Sequence, residues 1–118
     1  MSTQPNPTQP APTQPTAAQK LVGDISPRLA ELTDQVLFAD VWERPGLSKR
    51  DRSLATISAL IAQRASEQLL PHLKIGLANG LTRNEISELI THLAFYTGWP
   101  SAINAIGLAR QAFNEHQQ

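Results

Sequence analysis

Along most of this chain the apolar positions recur at helical spacing. Ile86, Leu89, Ile90, Leu93 and Thr97 fall three and four residues apart. Thr82 stands three residues before Glu85 as a capping box, and Gly98 supplies a stop, which predicts a helix over about 83–97. Pro100 suits the first turn of a last helix carrying Ala102, Ile103, Ile106, Ala109 and Phe113. Upstream, Ser26-Pro27 starts a helix with Leu29, Leu32, Val36 and Leu37, and Pro45-Gly46 breaks it. Ser48 caps a helix with Leu54, Ile57, Leu60 and Ile61. Ser66 and Glu67 open another that runs to Asn79-Gly80, with Leu69, Leu73 and Gly76 on its inner stripe. Pro71 within it predicts a kink, or a start nearer Leu69-Leu70. No segment alternates with a period of two. The expectation is an all-α, compact bundle of about five helices joined by short turns.

The first nineteen residues follow no such period. Thr3-Gln4-Pro5-Asn6-Pro7, Thr8-Gln9-Pro10-Ala11-Pro12 and Thr13-Gln14-Pro15-Thr16 form a near repeat, with no charge before Lys20. Such a segment buries too little apolar surface to offset its ordering entropy. Residues 1–19 are therefore read as a disordered tail and residues 20–118 as one domain. Ten basic and ten acidic residues balance to a net charge of zero. With no basic block, nucleic-acid binding has no electrostatic support. No apolar run reaches membrane-spanning length and no signal-peptide core is visible, so a cytoplasmic location is expected. The sequence contains no cysteine, which removes disulfides, thiol redox chemistry and thiolate metal sites. His72 and His92 have no zinc-motif spacing, and no metal site is expected. Apolar residues spread beyond single stripes, so some faces are expected to pack against another subunit.

Four parts of the chain carry a resemblance. Trp42-Glu43-Arg44-Pro45-Gly46-Leu47-Ser48-Lys49-Arg50-Asp51-Arg52-Ser53-Leu54-Ala55-Thr56-Ile57 resembles a segment of the 4-carboxymuconolactone decarboxylases. Glu67 followed by His72 is similar to their acidic–histidine pair. Asn79-Gly80-Leu81-Thr82 and His92-Leu93-Ala94-Phe95-Tyr96-Thr97-Gly98-Trp99-Pro100 are similar to runs in the same family, over about residues 20–115 in all. The resemblance implies an alkyl hydroperoxidase D-like fold and homo-oligomers, commonly hexamers built as trimers of dimers. The peroxidases of that superfamily use a C-x-x-C-x-x-x-H motif and a glutamate. Aligned on His72, those positions are Ala65, Gln68 and Ser53 here, so dithiol peroxidase chemistry is excluded.

The family reaction, as the resemblance implies, removes carbon dioxide from a small carboxylated lactone without a cofactor. The protein must bind a dianion, stabilise charge on a carbonyl and return a proton to carbon. Arginine suits the carboxylates, and Arg44, Arg50 and Arg52 are candidates with Arg52 favoured. His72 is the first choice for the proton, with Glu67 to orient it or raise its pKa. His92 is the second, one turn after Glu88, and would form another wall of the same site across the Gly80 turn. Phe95, Trp99 or Trp42 would give departing carbon dioxide an apolar setting. Each also has a plainer reading. Glu67 suits its helix dipole, Glu88 and His92 an ordinary surface pair, and Trp99 and Tyr96 core or subunit contact. The alternative function is a non-catalytic oligomeric protein that binds small anions.

Overall fold

The structure is a computed structural model and describes residues 14–116. Among the described residues it is all helical. Most of the tail expected over 1–19 lies outside the described residues, but a helix begins inside it. The chain divides into two units, one up to Arg44 and one from Pro45 onward, so the single domain expected over 20–118 is crossed by this division. No helix among the described residues is long and apolar enough to cross a membrane.

In the first unit, α1 spans Ala17–Val22. Thr16 Oγ1 accepts from the Gln19 amide at 3.1 Å and Gln19 Oε1 from the Thr16 amide at 2.9 Å, a complete capping box. The Thr16 hydroxyl also donates to Asp34 Oδ2 at 2.7 Å and so ties α1 to a later segment. Ser26 caps α2, Pro27–Glu31. The expected longer helix continues as a wider π-helical stretch, Leu32–Phe38. There the Thr33 hydroxyl takes up the Leu29 carbonyl at 2.8 Å, and the Ala39 amide reaches back five residues to Asp34 O. Bonds that reach back five residues make this stretch wider than an α-helix. A short 3₁₀ turn, Val41–Glu43, follows.

The second unit holds α3 Lys49–Gln63, α4 Ser66–Ala78, α5 Arg83–Thr97 and α6 Trp99–His116. α4 packs on α3 and α6, and α5 packs on α6 and α3. Helices α4 and α5 follow one another in sequence yet stand diagonally across the bundle. The core is built from Ile57 and Ile61, Leu69 and Leu73, Ile86 and Ile90, and the α6 stripe Ala102, Ala105, Ala109 and Ala112. Burying each of the larger side chains contributes roughly 1.5–3 kcal/mol. The alanines sit three and four residues apart and let both neighbours approach α6 closely.

The α3–α4 seam is equally close. A Cβ added to Gly76 would lie 2.9 Å from Ile57 Cδ1 and 3.0 Å from Leu81 Cδ1. α4 starts at Ser66 and runs unbroken through Pro71, so the later start does not occur. Proline removes the bond to the Glu67 carbonyl, which lies in the exposed first turn where water can replace it. Gly80, at φ +106, closes α4 in a Schellman motif: the Leu81 amide bonds Gly76 O and the Gly80 amide bonds Leu77 O. α3 closes in the same way, but its left-handed position is held by Arg64, at φ 56. Arg64 Nε donates to the buried Ser101 Oγ at 2.9 Å.

Candidate functional site

Asn79 Nδ2, just past the end of α4, donates to Ser53 Oγ near the start of α3 at 3.0 Å, so the two helices run antiparallel. His72 lies one turn before Gly76, on the side of α4 that meets α3. It is half-buried and its Nδ1 is withdrawn from water. Burial pushes its pKa below the ordinary value of about 6.5, because an imidazolium there loses hydration. His72 is therefore a neutral imidazole at pH 7. Arg52, on α3, is also half-buried, with its Nε withdrawn from water. Glu67, expected to orient His72 or raise its pKa, lies on the same helix. Five residues put it about 140° away around the helix, and it is exposed.

His92 stands elsewhere. It lines an open cavity of about 440 Å³ between α3 and α5, with Arg50, Leu54, Glu85, Glu88 and Leu89. Arg50 forms an ion pair with Glu85 and a longer contact of 3.4 Å with Asp51. The His92 ring tilts against Tyr96 at 4.9 Å between centroids. The lining holds two glutamates against one arginine, which disfavours a dianion. His72 is not part of this lining. This cavity therefore does not bring His72 and His92 together. The Gly80 turn links their helices in sequence, while packing sets those helices on a diagonal.

The remaining candidates are dispersed. Phe95 and Trp99 meet edge to face at 5.4 Å, but they are 74% and 58% exposed and enclose nothing by themselves. Trp99 lines a separate apolar groove of about 160 Å³ between α5 and α6, with Ala94, Ile103 and Ile106. Arg44 is the exposed last residue of the first unit. Among the described residues no three His, Asp or Glu side chains gather as a metal-binding group. The sequence presents Arg50 as one of three arginine candidates, with Arg52 favoured, and Glu85 only as a cap. The signal for their pairing was the basic start of α3 opposite an acidic first turn of α5.

The family model for the carboxymuconolactone decarboxylase family matches residues 27–111. The chain is 33% identical over 94 residues to a 4-carboxymuconolactone decarboxylase of Acinetobacter baylyi, covering 80% of this chain and 70% of that protein. It is 38% identical over 85 residues to the nitrosuccinic acid decarboxylase npaB of Metarhizium robertsii, covering 72% of this chain and 59% of that protein. An uncharacterized 15.0 kDa protein of Paracoccus denitrificans is 31% identical over 104 residues, covering 86% of this chain and 75% of its own length.

Proposed function

This chain belongs to the carboxymuconolactone decarboxylase family, and from that premise we propose that it is a cofactor-free carboxy-lyase. Its proposed substrate is a small carboxylated lactone or a similarly activated dicarboxylate. The names of two relatives suggest the common chemistry. Carboxymuconolactone and nitrosuccinic acid both carry two carboxylates and an electron-withdrawing group able to receive the electrons that one of them leaves behind. In the lactone, the carbon–carboxylate bond breaks and its electron pair passes through the ring alkene to the lactone carbonyl. The resulting dienolate takes one proton on carbon. In nitrosuccinic acid the nitro group receives the pair. The sink lies in the substrate, so the protein has to supply only binding, charge stabilisation and a proton.

The observation that carries this reading is the half-burial of Arg52 and His72 on the packed helices α3 and α4. Arg52 would hold a carboxylate through its planar fork. His72 would return the proton. It is neutral at rest, but a dianion bound nearby raises its pKa, so binding draws in the proton that the dienolate later receives. Glu67 has no part in this scheme, and His92 is the second candidate. The exposed Phe95, Tyr96, Trp99 and Ile103 suit coverage by another copy of the chain, in the hexamer that the resemblance implies. Loss of the lactone's ultraviolet absorbance tests the activity, with nitrosuccinate as the parallel substrate. Turnover of either supports the reading, and turnover of neither by the assembled protein overturns it.

A further inference from the structure

A different cavity, of about 240 Å³, lies between the start of α5 and the end of α6. Arg83, the first residue of α5, stands over the Phe113 ring at 5.3 Å from its centroid, and its Nη2 reaches Phe113 O at 3.4 Å. These contacts fix one guanidinium at the rim. Arg110, one turn before Phe113 on α6, lines the same cavity. No carboxylate lines it, and among the described residues Arg110 has no acidic partner. The lining carries two positive charges in a chain whose net charge is zero. Its floor is apolar, made by Ile106, Ala109 and Phe113.

We propose that this cavity is a second, non-catalytic site for a small aromatic monocarboxylate, held with its carboxylate between Arg83 and Arg110 and its ring on Ile106 and Phe113. Two guanidinium groups without a counter-charge favour an anion, and arginine's fork favours a carboxylate. The apolar floor favours a planar hydrocarbon body over a compact inorganic ion, which would leave that floor wet. Size is compatible, since a cavity of about 150 Å³ accepts benzene. The other polar lining groups, Ser87 and Asn114, do not titrate near neutrality and offer no acid to a carbanion. The site therefore binds without turning its ligand over. This inference does not rest on the decarboxylase reading.

Titration of the uniformly ¹⁵N-labelled full chain with benzoate tests it. Saturable shifts are expected at Ser87, Arg110 and Asn114, with Kd on the order of 1 mM or tighter. Arg110→Gln should weaken binding about tenfold, and Arg110→Lys should weaken it less, because the charge remains. His72→Gln should bind benzoate as the parent does, which separates this site from the proposed catalytic one. Benzyl alcohol tests the charge and inorganic phosphate tests the apolar floor. Absence of shifts at those residues, unchanged binding by Arg110→Gln, or equal binding of either control ligand overturns the proposal.

Discussion

Glu85 divides its carboxylate between two helices, and Arg50 takes one half. Oε1 accepts from the Thr82 amide at 3.0 Å and completes the cap of α5, while Oε2 pairs with Arg50 of α3. Local start signal and tertiary clamp are one side chain. Glu85→Gln retains the capping geometry and loses the ion pair. A partly exposed pair of this kind contributes about 1 kcal/mol at most, so that variant should lose no more, and less still in ~1 M salt. Glu85→Ala also removes the bond that Oε1 accepts from the Thr82 amide, while the Thr82 hydroxyl still caps the residue 85 amide, and should cost about 0.5–1 kcal/mol further. Urea midpoints at low and high salt read both effects. Equal losses for the two variants would show that the Arg50 pair, not the bond to the Thr82 amide, carries the whole contribution.

The pH dependence of stability follows from His72. Burial holds its folded-state pKa below the ordinary value, so the unfolded chain binds the proton first as pH falls. This contribution is complete above about pH 6.5 and is lost as pH drops from there through the lower folded value. His72→Gln should flatten the urea-midpoint profile between about pH 8 and pH 5 relative to the parent. Parallel profiles would refute the assignment.

Kinetics separates the two histidine environments. His72→Gln should lower kcat by about 10²–10⁴-fold with little change in KM, as loss of a general acid does. Arg52→Lys should lower kcat/KM on the order of tenfold or more, because the charge stays while the fork is lost. His92→Gln and Arg50→Lys should leave turnover close to that of the parent. The reverse pattern would move the chemistry to the α3–α5 cavity.

Arg64 occupies a left-handed position that glycine fills without strain, and its Nε satisfies the buried Ser101 hydroxyl. Arg64→Gly alone should be nearly neutral. Relief of about 1 kcal/mol of backbone strain is offset by a similar loss at Ser101. In a Ser101→Ala background the same change should stabilise by about 1 kcal/mol. Thermal or urea denaturation of the four proteins closes this cycle, and strict additivity would count against the coupling.

Helix existence was readable because caps and stops are local. Thr82, Glu85 and Gly98 bound α5 in the sequence as they do in the structure. α1 was missed because its Thr16–Gln19 box sits at the end of a Pro-Gln-Thr repeat, where composition argued for disorder. The π-helical stretch was missed because apolar spacing does not report whether backbone bonds close over four residues or five. Among site residues, the sequence supplied the types that anion chemistry needs but not their grouping. His72 and His92 are parted by packing, since consecutive helices need not be packed neighbours. Arg50 and Arg52, two positions apart, point about 160–200° from each other, so only tertiary contacts decide which meets a histidine.

The inward face of α6 is already close to the smallest a side chain allows. Ala102, Ala105, Ala109 and Ala112 leave almost no volume to lose, so substitution there can damage the bundle chiefly by crowding and hardly by opening voids. Mutational tolerance along this helix is therefore one-sided. Substitutions that leave the bundle intact are expected on the outer faces of α6, which carry the exposed Trp99, Ile103 and Arg110. A helix held close by small residues on its inner face thus keeps its outer faces free to change what they offer to other molecules.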